Sequence, residues 1–339
     1  MRKAILAASA VLIFAIIGGA LAAHLAWREL TAPMALDGPP VLLEVPAGTP
    51  LAHVSATLAE RGMLEHPRVL TWYARMTGMA TRIHAGEYAL ASGTTPLELL
   101  DDLVAGKVYM HQLTVIEGWR FADLVGALRA HPAVAATELD GEAVMAEVGR
   151  PDVHPEGQFL PDTYTFPKGT TDVDLLRWAH EALEQRLADA WARRSPDVEL
   201  ETPYEALILA SIIEKETALD SERRLIAGVF DARLKRGMRL QTDPTVIYGI
   251  GEAYDGDLRS RDLSTDTPYN TYTRAGLPPT PIALPSAASI EAAVNPAPGD
   301  ALYFVATGLP DGSHYFSATL EEHNSAVRRY LERQRRAQE

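Results

Sequence analysis

Two glutamates, Glu214 and Glu216, stand in the otherwise largely apolar run ASIIEKETA, residues 210–218. An α-helix turns by about 100° per residue, so Leu209, Ile212, Ile213 and Glu216 share one stripe, while Glu214 and Lys215 fall on the opposite side and read as a solvated face. A carboxylate on an apolar stripe loses hydration, which disfavours its charged form and raises its pKa. Such a group keeps a proton available at neutral pH, so Glu216 is a candidate general acid that later takes a proton back. The competing structural reading packs only the stem of Glu216 and sends its carboxylate to water or to an ion-pair partner, an arrangement that also perturbs pKa values.

Other chemistries lack their residues. The chain has no cysteine, which excludes thiolate catalysis and cysteine-held metal sites, and its ten histidines show no H-E-x-x-H or comparable ligand spacing. Gly249-Ile250-Gly251 fails as a nucleotide fingerprint because Tyr254 occupies the third glycine position. No G-x-S-x-G is present, and Ser211 has no evident base. The remaining candidate is acid/base work by one carboxylate beside a segment rich in hydrogen-bonding groups. Gln241, Thr242, Asp243, Asn270 and Tyr272 combine amides, hydroxyls and an aromatic face suited to sugars, and Tyr248 joins them as a candidate substrate-binding residue. Each alone reads equally as a turn or cap residue, Asp243 being a natural N-cap ahead of Pro244. No metal and no cofactor is expected.

The elements that must hold these residues follow from caps and periodicity. Thr202, Pro203 and Glu205 form a capping box with proline at the first helical position, so the Glu216 helix starts near Pro203. A long amphipathic helix, TDVDLLRWAHEALEQRLADAWARR, precedes it, and another runs from Asp220 to Gly237. Residues 238–300 are dense in Gly, Pro, Thr, Asp and Asn with only short helical stretches, the pattern of a functional loop region wrapping a cleft. DALYFVATG and GSHYFSA read as a hairpin, and a solvated helix follows.

Upstream, VLLEVPAG, TPLAHVSATLAERGML, HPRVLTWYARMTG, IHAGEYALASG, TTPLELLDDLVAGK and VYMHQLTVIEG read as β-α-α-β-α-β, with Thr95 capping and Gly106 closing the third helix. The β-α-α-β portion resembles a LysM domain, a fold that grips N-acetylglucosamine polymers, and a plain packing module fits the same order. At the N-terminus, Ala4 to Ala23 carries no charge and is long enough to cross about 30 Å of hydrocarbon. Arg2 and Lys3 ahead of it favour an inner-membrane anchor with the bulk of the chain in the periplasm. A cleavable signal peptide ending near Ala20-Leu21-Ala22 is the alternative.

The net charge of −14 argues against a sequence-independent grip on nucleic acid, and 47% hydrophobic residues suffice for real cores. The expected fold class is α+β: an N-terminal transmembrane helix, a small LysM-like α/β module, and a mainly helical catalytic domain with long cleft loops and a β-hairpin. The expected segments are a cytoplasmic stub (1–3), the transmembrane helix (4–24), a linker (25–40), the LysM-like module (41–115), a helical connector (116–155) and the catalytic domain (156–339).

Taken together, ASIIEKET, LQTDPTVIYGIG, TPYNTYTRAGLPPTPIALP and the upstream PDTYTF closely resemble the endolytic murein transglycosylase family of bacteria. The resemblance implies an inner-membrane-anchored lyase that cuts peptidoglycan strands internally, leaves 1,6-anhydro-N-acetylmuramic acid ends, and limits strand length alongside penicillin-binding synthases. The family's catalytic glutamate, the one followed by Thr, matches Glu216. Two alternatives stay open at this stage: an anchored peptidoglycan-binding scaffold without activity, and a lysozyme-like hydrolase pairing Asp243 with Glu216.

Overall fold

The computed structural model describes residues 2–36, 38–137 and 141–338. Residue 1 of the expected stub, residue 37 of the expected linker, residues 138–140 of the expected connector and residue 339 lie outside the described residues. The fold is mixed helix and sheet, and the chain divides into two compact units: residues 1–111 with 165–169, and residues 112–164 with 170–339.

The first unit starts with helix α1 (Arg2–Thr31) and continues through β1 (Val41–Val45), α2 (Leu51–Glu60), α3 (Pro67–Met76), β2 (Gly86–Leu90) and α4 (Pro96–Ala105). Residues 5–31 of α1 have a mean hydropathy of 2.5 in their most apolar window and bury nothing there, so this helix is long and apolar enough to cross a membrane. Strands β1 and β2 pair antiparallel, Leu43 opposite Tyr88, with α2 and α3 between them in sequence. Helix α4 closes as its sequence dictates. Thr95 and Glu98 form the capping box, and Gly106 takes the left-handed conformation, φ 66°, that glycine adopts without steric cost.

The expected linker is part of this unit. Helix α1 runs to Thr31, and Leu30, Met34 and Leu36 are buried in the same apolar cluster as Leu43, Leu58 and Leu100. Helix α1 packs on α3 and α4, the Met34 N–H donates to the Thr94 carbonyl and the Ala35 N–H to the Met63 carbonyl, tertiary contacts that local periodicity does not reveal.

Strand β3 (Met110–Thr114) pairs with β4 (Thr163–Pro167). The second unit holds α5 (Phe121–Ala130), α6 (Gly141–Glu147), α7 (Asp172–Ala192), α8 (Pro203–Glu216), α9 (Asp220–Lys235), α10 (Asp243–Ile250), α11 (Ser260–Ser264), α12 (Ala287–Val294), the hairpin β5 (Tyr303–Ala306) and β6 (His314–Ser317), and α13 (Leu320–Gln338). Residues 116–155, expected as a connector, belong to it. Its core is built on α8, where Ala206 to Ile213 are buried without interruption, so this helix is apolar all round and enclosed by its neighbours. Helix α12 supplies much of that enclosure through Ile290, Ala292, Ala293 and Val294, with α7 and α9 adding the rest. It lies inside the stretch read as mostly irregular, because eight residues after a proline-rich run are too few for periodicity to declare a helix.

Candidate active site

Helix α8 begins and ends where its sequence says it should. Thr202 accepts from the Glu205 backbone N–H while the Glu205 carboxylate accepts from the Thr202 N–H, satisfying orphan donors at the start. Thr217 breaks the helix by taking extended geometry, φ −146° and ψ 139°, and its hydroxyl accepts from the Leu219 N–H. Glu216 is therefore the last helical residue. Its carboxylate stands at the negative end of the helix dipole, where ionisation is further disfavoured.

The Glu216 carboxyl accepts a short hydrogen bond at Oε1 from the Thr242 hydroxyl, which leaves Oε2 to carry a proton. Burial pushes Glu216 up to about 7; the Thr242 hydrogen bond opposes this, the Asp243 charge adds to it, and the charges of His314 and Arg233 pull downward. Thr242 is fixed in turn. Its N–H donates to the Thr271 hydroxyl at 3.0 Å, and its carbonyl accepts from Thr245 Oγ1 at 2.8 Å. Just before it, Gln241 has φ 53°, the one non-glycine residue with positive φ among the described residues, so the backbone beside the acid is strained.

Two cavities share Glu216 as a wall. A cleft of about 760 Å³ is lined by Gly118, Asp162, Thr163, Lys215, Glu216 and Arg223, among others. A second cavity of about 390 Å³ is lined by Glu216, Arg233, Gln241, Thr242, Asp243 and Tyr272, with Tyr303 and His323. Tyr272 donates its hydroxyl to Asp243 Oδ1 at 2.6 Å, and burial together with that bond raises the phenol above its ordinary range. Asp243 is not the N-cap of α10. Thr242 holds that position, and with its hydroxyl committed to Glu216 it makes no capping bond.

Gln241, Thr242, Asp243 and Tyr272 thus surround the acid, whereas two other sequence candidates are engaged elsewhere. Asn270 is fully buried, its amide donating to the carbonyls of Asp262, Leu263 and Thr265 and its Oδ1 accepting from the Tyr272 N–H. It staples the loop that carries Tyr272. Tyr248 packs edge-on against Tyr269, lies under the Arg120 guanidinium and hydrogen-bonds Glu156, away from the lining of both cavities. Glu156, a buried carboxyl that also accepts from the Phe121 N–H, is pushed up to about 7 by burial.

Lys215 is exposed as expected, but Glu214 is not a solvated side chain. Its Oε2 accepts from the Ser286 N–H, the Ser286 hydroxyl and the Ser289 hydroxyl, at 3.0, 2.5 and 2.6 Å, so it caps the start of α12. Ser211 is likewise structural, donating to the Ile208 carbonyl and accepting from the Ile282 N–H. Sequence reasoning missed Arg223, Arg233 and the segment around Gly118. The PDTYTF motif did carry a usable signal, since its Pro161, Asp162 and Thr163 line the larger cleft.

Relatives match over most of this chain. A protein of Bacillus subtilis named endolytic murein transglycosylase is 31% identical, covering 93% of this chain and 91% of its own. One of Streptococcus pneumoniae with the same name is 29% identical over 86% of this chain and 58% of its own. A crystal structure of a YceG-like protein from Listeria monocytogenes, 30% identical, superposes with a TM-score of 0.48 over 84% of this chain and 98% of that one. Residues 43–329 match the YceG-like family, and the chain belongs to that family.

Proposed function

We propose that this chain is an endolytic murein transglycosylase that cleaves the β-1,4 bond between N-acetylmuramic acid and N-acetylglucosamine inside peptidoglycan strands. The observation that carries the reading is a single raised carboxyl, Glu216, at the common wall of two cavities, in a chain whose relatives bear that name. A wall shared by two cavities leaves room for sugar on either side of the acid, as cutting within a strand requires.

Glu216 gives its proton to the oxygen leaving C1 of the muramyl residue. The resulting carboxylate takes the proton of that residue's own C6 hydroxyl as its oxygen closes on C1. The proton count returns to its start, the glycosidic C1–O bond is replaced by the 1,6-anhydro bond, and water is not consumed. A pKa near 7 suits both halves, since the group must donate and then accept within one turnover. The Thr242 hydroxyl holds the carboxyl through Oε1, and Oε2 is assigned the proton transfers.

The β-α-α-β order of the first unit supports reading it as a LysM-like glycan-binding module. The apolar α1 supports an inner-membrane anchor with the remainder in the periplasm, where strands and penicillin-binding synthases meet. One observation favours a second reading: Asp243 is close enough to act electrostatically on Glu216, and two carboxyl groups serve a hydrolase. Product analysis by mass spectrometry after incubation with peptidoglycan tests these. Anhydromuramyl ends support the lyase, reducing ends the hydrolase, and uncut strands the scaffold.

A further inference from the structure

Two arginines of α9 face the cavities around Glu216, and their hydrogen bonding differs. Arg233 is buried and held by main chain: Nε donates to the Leu302 carbonyl at 2.7 Å, and Nη1 donates to the carbonyls of Leu240 and Arg239 at 2.6 and 3.2 Å. That is a structural arginine. Arg223 retains 6% of its surface, yet among the described residues its one partner is Asp220, a side chain 90% exposed, and its Nε has no acceptor. A guanidinium offers five donors, and a buried one left with a single exposed carboxylate has given up hydration without replacing it.

Arg223 lines the larger cleft with Glu216. The other cation there, Lys215, is exposed and donates to the Gly118 carbonyl at 3.1 Å. Of the acidic groups in the same lining, Glu214 is occupied by Ser286 and Ser289, Asp162 accepts from the Thr163 N–H, and Glu117 is exposed. Asp220 is solvent-exposed, so it can turn to water and leave the guanidinium to another carboxylate. A planar carboxylate matches the guanidinium fork.

We propose that Arg223 is a specificity-determining residue that receives a carboxylate carried by the muramyl residues of the strand. The proposal rests on the transglycosylase reading above and refines it. Two carboxylates share this chemistry: the lactyl group of a residue stripped of its peptide, and the carboxylates of the peptide itself.

The experiment uses the full chain in detergent and measures kcat and KM for formation of anhydromuramyl ends on two strand preparations, peptide-bearing and amidase-stripped. Each is supplied charged and with its carboxylates converted to methyl amides, and wild type is compared with R223Q and R223K. Neutralisation should lower wild-type kcat/KM by about ten- to a hundredfold in one preparation, which identifies the carboxylate's source. R223Q should show that loss already on the charged strands, mainly through KM, and no further loss on the neutral ones. R223K, which keeps the charge and loses the fork, should fall between. If wild type cuts charged and neutral forms of both preparations within twofold, the proposal is overturned whether or not either variant folds. Discrimination by folded R223Q equal to that of wild type overturns it as well. Absence of anhydro ends from wild type itself would instead sink the transglycosylase reading.

Discussion

At the scale of single residues, the site depends on one carboxyl whose proton is held by its surroundings. If Glu216 is the acid, kcat/KM should fall tenfold per pH unit above about 7, where the carboxyl deprotonates. T242V removes the hydrogen bond that stabilises the ionised form, so it should move that limb to higher pH and lower the plateau; a pH–rate profile reads both. Stability carries the opposite face of the same shift. A carboxyl whose folded pKa lies above its ordinary value of 4.5 binds more protons folded than unfolded, so stability is lost as pH rises from about 4.5 to about 7. E216Q lacks this dependence. Its stability relative to wild type, followed by urea unfolding at successive pH values, should rise across that window and level off above it.

At the scale of elements, α8 and α12 depend on each other. Glu214 takes three hydrogen bonds from the start of α12, and α12 covers the apolar face of α8. E214A leaves those donors short of an acceptor and should cost about 1–3 kcal/mol in urea unfolding, far more than a solvated glutamate would. How much of this was legible in sequence follows from the range of each interaction. The α8 boundaries, its capping box and the place of Glu216 on the buried side were legible, because they depend on residues within a turn or two of one another. The role of Glu214 was not, since its partners lie 72 and 75 residues away and its helical angle alone pointed to solvent. Asn270 and Tyr248 looked like sugar-binding groups by type. Only the fold reveals that one is consumed by main-chain carbonyls and the other by Glu156.

At the scale of the whole molecule, the apolar helix and the first unit are continuous. Leu30, Met34 and Leu36 belong to that unit's core, so removing residues 1–24 and removing residues 1–40 are different operations. The chain from residue 25 should fold. Loss of three buried side chains should cost the chain from residue 41 several kcal/mol, each such deletion costing about 2–5 kcal/mol, and thermal unfolding of the two truncations distinguishes them. Equal stability would place these side chains outside the core.

Whether one carboxyl performs both proton transfers is tested most directly by E216Q. An amide is nearly isosteric with a protonated carboxyl, so the fold should survive, but an amide neither donates to the leaving oxygen nor accepts from the C6 hydroxyl. Anhydromuramyl ends released from peptidoglycan are counted by mass spectrometry alongside the thermal unfolding of both proteins. E216Q should fold and form these ends at least about 10² to 10⁴ times more slowly than wild type. A folded E216Q that forms them at near wild-type rate would contradict this assignment.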